Sequence, residues 1–410
     1  MSQVTASTTS IPSLSPEDED LLRKCLADLG DLLLETSHQI HARPEIRFEE
    51  VFASTLLTDT LGAHGFVVEK PFAGLATAFC ATYDSGRPGP RLAIFLEYDA
   101  LPDIGHGCGH NIIASAGLGA ALLTRAMLSS DGGPGGTLVV IGSPAEEGGG
   151  GKLPIIDSGS LDGVDAAIML HPSGENLSAM RTLSRAALQF TFTGRAAHAG
   201  VSPHLGINAL DAAVLTLNAV GLLRQQVTDD VRIHTIITEG GNATNIIPER
   251  AVIQAQVRAE DPQTLLDDLK PRLENCARGA ALATGADVEI RNDGPVYLSI
   301  QPNPVLEQIV EESYGRIGRK TEPHRNEVYP GSTDMGNVSQ VVPAIHPNIE
   351  IVPGLGMHSR EATELVGGKH GDAAVLDGAL MLAMTASTLF RHPQAVEQVQ
   401  ATFTEGIRVG

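Results

Sequence analysis

The chain has 410 residues, too many for one ordinary domain of roughly 100–200 residues and enough for two with real cores. Hydrophobic residues make up 42% and charged residues 19%, and 44 Gly with 24 Pro fit a loop-rich globular α/β protein rather than a fibrous or disordered one. A formal net charge of −21 repels phosphate backbones and anionic lipid, so neither a nucleic-acid partner nor a membrane partner is expected.

Residues 1–16 are rich in Ser and Thr and lack the basic and apolar regions of a secretory signal, which predicts a disordered leader. No apolar run reaches the roughly 18–20 residues that span a bilayer. The longest, 112–123 and 379–389, are interrupted by small or polar residues. Cys25, Cys80, Cys108 and Cys276 have no framework spacing, so a reducing, cytoplasmic setting is expected.

Over 17–41, Leu21, Leu22, Cys25, Leu26, Leu29, Leu32 and Leu33 recur with the period of an amphipathic helix, which Pro44 ends. Apolar strands at 92–96, 137–141 and 164–170 alternate with helical stretches such as 111–128. That alternation predicts an α/β domain with a mostly parallel sheet, covered by helices on both faces and carrying its site at the strand C-termini. From 183 the pattern changes to a strand (187–193), a helix (208–225), strands at 232–238 and 251–258, a helix (262–283) and a strand (288–291). This β-α-β-β-α-β order is that of an α+β ferredoxin-like module. Signals after 296, ending in a helix over 371–391, read as the rest of the first domain. The expected organisation is therefore a catalytic domain from 17–182 plus 296–410, with 183–295 inserted.

The densest polar segment runs from Asp99 through His106, Cys108 and His110 to Asn111, directly after the strand at 92–96. Thiolate and imidazole two residues apart suit a transition metal. Taken alone, the segment reads equally well as a buried thiol beside a structural histidine. Glu146 and Glu147 follow the strand at 137–141, where two buried carboxylates repel unless something positive lies between them. A metal pair would resolve the conflict, with Glu147 as a ligand and Glu146 as general base; the plainer reading is a solvated pair on a glycine loop. His171 follows the third strand, and His358 follows the apolar run 349–352. Five donors, Cys108, His110, Glu147, His171 and His358, exceed one tetrahedral ion and suit two ions sharing a bridge. Arg258 is a candidate for a substrate carboxylate, with a surface ion pair as its plainer reading. Ser332, Thr333 and Asp334 line a pocket or cap the next helix. Histidines without motif company, His346 among them, are expected at the surface or in structural roles.

Jointly, His41-Ala-Arg-Pro-Glu-Ile, Asp99-Ala-Leu-Pro, Gly105-His-Gly-Cys-Gly-His-Asn, Pro144-Ala-Glu-Glu-Gly, Gly194-Arg-Ala-Ala-His-Ala, Asn245-Ile-Ile-Pro and Ser332-Thr-Asp-Met-Gly-Asn-Val-Ser resemble the M20 metallopeptidases. The likeness is to their Cys-Gly-His amidohydrolase branch. Within it, the short spacer from Tyr98-Asp-Ala-Leu-Pro to the Cys-Gly-His motif is most similar to that of the aminobenzoyl-glutamate hydrolases and M20 domain-containing dipeptidases. The resemblance implies a two-metal catalytic domain, an inserted lid that also forms a homodimer, and hydrolysis of an amide bond in an N-acyl amino acid, an aminobenzoyl-glutamate-like compound or a dipeptide. It implies two divalent ions, Zn²⁺ or Mn²⁺ with Co²⁺ as a third candidate, held by Cys108, His110, Glu147, His171 and His358. Glu146 takes the general-base position, and Asp99 that of an acid orienting a ligand. His198 matches the lid histidine that polarises the scissile carbonyl in the partner's site, and Asn245 a substrate contact. One departure stands out: Glu97 replaces a histidine ligand found in many relatives. Two other readings remain, Cys108 as a nucleophile activated by His110, and a catalytically silent metal-binding partner in a hetero-oligomer.

Overall fold

The computed structural model describes residues 12–322 and 331–409. Most of the leader expected over 1–16 lies outside these residues. Ser15 accepts a hydrogen bond from Asp18 N and caps the helix Pro16–His41, whose first turn carries Glu17, Asp18 and Glu19 where the helix dipole favours acids. The chain divides into two compact units, one made of Met1–Met180, Ile300–Glu327 and Asn337–Gly410, the other of Arg181–Ser299 and Val328–Gly336.

The first unit is built on a six-stranded sheet. Its strands are β1 (Val67–Glu69), β2 (Phe79–Asp84), β3 (Arg91–Glu97), β4 (Thr137–Ser143), β5 (Ala166–Ile168) and, late in the chain, β11 (Ala344–Ile345), in the order β1-β2-β4-β3-β5-β11. From β4 to β11 neighbours run parallel, whereas β1 and β2 add an antiparallel edge. The sheet is thus mixed rather than mostly parallel throughout. The reason is chain length: β2 reaches β3 through residues 85–90, and a parallel crossover needs about a dozen residues or more. A second difference concerns the run 164–170. Only Ala166–Ile168 joins this sheet, and His171 opens a further strand, β6 (His171–Ser173), paired in parallel with β12 (Asn348–Glu350).

The helix His110–Ser129 is buried along nearly its whole length beside Pro16–His41 and Lys369–Arg391. Gly119 permits this approach, because a Cβ there would lie 2.7 Å from both Ala379 Cβ and Leu33 Cδ1. The apolar stretches read as too short to span a bilayer belong to helices that are long and apolar enough by composition. Each is 83% buried over its apolar window, as core helices are.

The second unit has its own core. Strands β7 (Ser184–Thr193), β8 (Arg232–Glu239), β9 (Arg250–Ala259) and β10 (Asp287–Asn292) form an antiparallel sheet in the order β10-β7-β9-β8. Alternate residues of β7, Ala186, Leu188, Phe190 and Phe192, share a core with Ala212, Ala213 and Val220 of the helix Ala209–Leu223 and with Leu273 and Ala277 of Lys270–Thr284. The chain order is β-α-β-β-α-β. The helix expected over 262–283 contains a wide π-type segment, Thr264–Leu269, and is regular from Lys270 to Thr284. Pro271 accounts for it, since proline has no N–H to close the preceding turn normally.

Candidate metal centre

Strand β3 is apolar at every position from Leu92 to Leu96 and therefore buried on both faces, which carries Glu97, Tyr98 and Asp99 into the interior as the strand ends. The loop that follows returns through Gly109, whose left-handed backbone (φ +72°) forms the N-cap of His110–Ser129. Any side chain there would be strained and would also place a Cβ 2.5 Å from Pro172 Cγ. This turn sets Cys108 and His110 side by side at the helix start. After β4, Ala145 takes φ +60°, and Gly149 N and Gly150 N both bond Ala145 O, which closes the turn bearing Glu146 and Glu147. His358 also has positive φ (+63°) and is tied by its N–H to Gly107 O at 2.8 Å. Two such non-glycine residues in one site hold backbone strain of about 1–3 kcal/mol each.

These turns converge on the Cys108 sulfur. His358 Nε2 lies 3.1 Å from Sγ and His171 Nε2 3.4 Å. His358 Nε2 is also 3.2 Å from Glu147 Oε1, which is 3.9 Å from His110 Nε2. The donor atoms fall into overlapping groups, each within 4.8 Å: Cys108, His110 and His171; Cys108, Glu147 and His358; Glu97, His110 and Glu146. Asp99 braces two of the donors, Oδ1 facing His110 Nδ1 at 3.0 Å and Oδ2 accepting Glu147 N at 3.0 Å. His171 Nδ1 bonds Pro172 O at 2.7 Å, so in the neutral ring Nε2 carries the lone pair toward Cys108.

Electrostatics follow from burial and these pairings. Burial opposes charge on His110, yet the Asp99 carboxylate raises it well above the usual imidazole range. Burial alone would push Asp99 up, and the charge and hydrogen bond of His110 hold it low instead. Burial and the nearby His110 bring His171 down to about 4. The Glu147 hydrogen bond raises His358, and burial drives the Cys108 thiol far up.

The residues fit a metal centre. Thiol, imidazole and carboxylate donors converge, and the buried His110 Nε2 and Glu97 Oε2 have no hydrogen-bond partner. The sequence pattern of peptidase family M20/M25/M40 matches residues 96–384. The chain belongs to the M20 peptidases. This metal-dependent family makes it a hydrolase acting on peptide or amide bonds. The M20 chain is 37% identical over 405 residues to the Xaa-Arg dipeptidase of Mus musculus, covering 95% of this chain and 94% of the relative. It is 34% identical over 299 residues to a p-aminobenzoyl-glutamate hydrolase chain of Escherichia coli (strain K12), covering 68% and 61%. A dinuclear metal-binding M20 peptidase of Bacillus subtilis shares its fold, with a TM-score of 0.69, 19% identity and 89% and 99% of the two chains covered.

Of the site residues expected from sequence, Asp99, Cys108, His110, Glu146, Glu147, His171 and His358 lie in the first unit and come together there. His198, Asn245 and Arg258 lie in the second. There the segments 197–199 and 245–247 pair through Ala199 N to Asn245 O and Ile247 N to Ala197 O, so His198 and Asn245 are neighbours. His198 Nδ1 accepts from Gly200 N and Val201 N, both at 3.2 Å, which leaves Nε2–H as the exposed donor of the neutral ring. Arg258 Nη1 donates to Ser332 Oγ at 2.9 Å, and Ser332 Oγ donates to Leu183 O. Thr333 Oγ1 accepts Met335 N at 3.2 Å, a capping contact on Met335–Ser339.

Sequence reasoning missed several neighbours of the centre. His346, expected at the surface or in a structural role, is buried beside the centre, its ring edge-on to His171 at 5.7 Å and its Nε2 without a partner. His106, which the polar segment from Asp99 to Asn111 had already marked, is buried with neither ring nitrogen partnered. Glu50, fully buried, accepts Phe48 N, Ala145 N and Thr77 Oγ1 and so supports the Glu146 turn from beneath. Lys152, also fully buried, pairs with Glu97. The one sequence signal for Glu50 and Lys152 was a charged residue beside an apolar run, which a solvated surface produces just as often.

Proposed function

We propose that this M20 hydrolase is a two-metal amidohydrolase that cleaves a dipeptide, an aminobenzoyl-glutamate-like compound or an N-acyl amino acid, with Glu146 as general base. The observation that carries the reading is the convergence of Cys108, His110, His171, Glu147 and His358, with Cys108 shared between two of the donor groups. Those five residues would hold two divalent ions, Zn²⁺, Mn²⁺ or Co²⁺. When bound, such a pair acidifies water toward neutrality and polarises the scissile carbonyl. Glu146, on the turn beside Glu147, takes the proton from the attacking water and returns it to the leaving amine. Asp99 fixes the ring of His110 and the backbone of Glu147. His198 presents Nε2–H as the donor to the carbonyl oxygen of a substrate held by a second copy. Asn245 and Arg258 serve the rest of the substrate, Arg258 its carboxylate.

The relatives support peptide-like substrates: one is named for dipeptides ending in Arg, another for p-aminobenzoyl-glutamate. The second unit acts as lid and homodimer contact, a role supported by the part-exposed Ile236 and Ile237 on the edge strand β8. A cytoplasmic setting is part of this proposal and rests on the four cysteines of the sequence having no framework spacing. Cys108 as a nucleophile is disfavoured, because two imidazoles flank its sulfur where a thiol hydrolase needs one base and an uncommitted thiolate.

The test is a release assay over dipeptides, N-acyl amino acids and aminobenzoyl-glutamate, with Zn²⁺, Mn²⁺ or Co²⁺ added in turn. Cleavage that requires an added ion is expected, and Glu146→Ala should lower kcat about 10²- to 10⁴-fold with metal content intact. Metal-independent turnover, or an E146A enzyme of near wild-type rate, would sink the mechanism. Full metal loading without cleavage of any amide would point to the silent-partner reading instead.

A further inference from the structure

Glu97 ends β3 with its side chain fully buried, and its Oε1 is engaged by the equally buried ammonium of Lys152. Its second oxygen, Oε2, has no hydrogen-bond partner. That oxygen lies 3.7 Å from His110 Nε2, which has none either, and an oxygen of Glu146 falls within 4.8 Å of the ligand atoms of both residues. A direct N–H···O bond would close the gap to roughly 2.7–3.2 Å. Two metal bonds of roughly 2.0–2.2 Å each reach across it. A carboxylate kept only to neutralise Lys152 would be expected to satisfy its second oxygen as well, as buried polar atoms nearly always do.

We propose that Glu97 is itself a metal ligand, its Oε2 completing the coordination of the ion held by His110, with Lys152 holding the carboxylate in one orientation. The proposal rests on the metallo-amidohydrolase reading. It adds a hard oxygen donor to a centre otherwise dominated by thiolate and imidazole. That addition shifts the His110 position toward Mn²⁺, relative to the same site without the carboxylate. Lys152 acts through Glu97 and is a positioning residue.

The full-length protein, stripped by chelator, is titrated with Co²⁺ while metal content and visible absorption are followed, and the titration is repeated with Mn²⁺ and Zn²⁺. Wild type is expected to bind two ions. Glu97→Gln is expected to bind one of them at least about 10-fold more weakly, with an altered Co²⁺ absorption at saturation and a larger loss for Mn²⁺ than for Zn²⁺. Wild-type affinity in E97Q, or weaker binding with an unchanged spectrum, overturns the assignment. Should E97Q not fold, Lys152→Met leaves the carboxylate buried without its ammonium. Co²⁺ should then raise the melting temperature of K152M more than that of wild type, because the ion replaces the missing positive charge. Equal increments overturn the proposal. A wild-type chain that binds no ion sinks the two-metal reading as well, whereas two ions in wild type with an indifferent E97Q sinks only the role of Glu97.

Discussion

Glu50 illustrates how one buried carboxyl governs a turn. Burial brings it up to about 7, against the help of the Phe48 and Thr77 hydrogen bonds and with the charge of Asp99 adding to the rise. A group raised from its ordinary 4.5 is protonated more readily in the folded state, so folding gains from low pH. The contribution is fullest below about 4.5 and is lost as pH rises through about 7. At about 1.4 kcal/mol per pH unit, that gap corresponds to about 3 kcal/mol. Denaturant unfolding of the metal-free protein at pH 5 and pH 8 should show this loss in wild type and its absence in Glu50→Gln. Parallel pH profiles would remove Glu50 from the account. Cys108, His110, Glu146, Glu147, His171 and His358 were legible in the sequence because each follows an apolar run that ends at a turn. Glu50, Lys152 and His346 were not, since burial of a lone polar residue depends on what packs over it.

At the scale of elements, the Cys-Gly-His turn depends on a residue with no side chain. Gly109 combines φ +72° with the close approach of Pro172, which immediately follows the proposed ligand His171. Gly109→Ala should therefore cost about 1–3 kcal/mol of stability and separate Cys108 from His171, with weaker metal binding as its second symptom. Unfolding and metal titration of the variant check both, and a stable variant with full affinity would contradict the strained-turn argument. Periodicity located the helices and strands it named within a few residues, because 3.6- and 2-residue repeats are local properties of the chain, but it named none of the helices Val51–Ala63, Pro304–Arg316 and Pro393–Val409. It overlooked the antiparallel edge of β1 and β2, the division of 164–170 between two sheets, and the π-type turn before Pro271. Those depend on connection lengths and on hydrogen bonds with distant strands.

For the molecule as a whole, the five donors, Glu146, Glu97 and Asp99 all belong to the first unit, whereas the second folds around its own core of β7, β9 and two helices. Metal bound only by the folded first unit stabilises that unit by mass action, about 2.7 kcal/mol at a hundredfold excess over Kd. Calorimetry with and without chelator should lower the transition of the first unit and leave that of the second in place. A uniform downward shift of every transition would instead mean that the two unfold as one.

The sequence by itself determined the family, the alternation of helix and strand, and which side chains reach the strand ends, because these are written in short motifs and local periodicity. Only the tertiary structure decided which buried groups lie beneath the centre. Lys152 meets Glu97 across 55 positions and Glu50 meets Ala145 across 95. Such encounters are set by sheet order and by the packing of distant segments, and no local pattern in the chain encodes them.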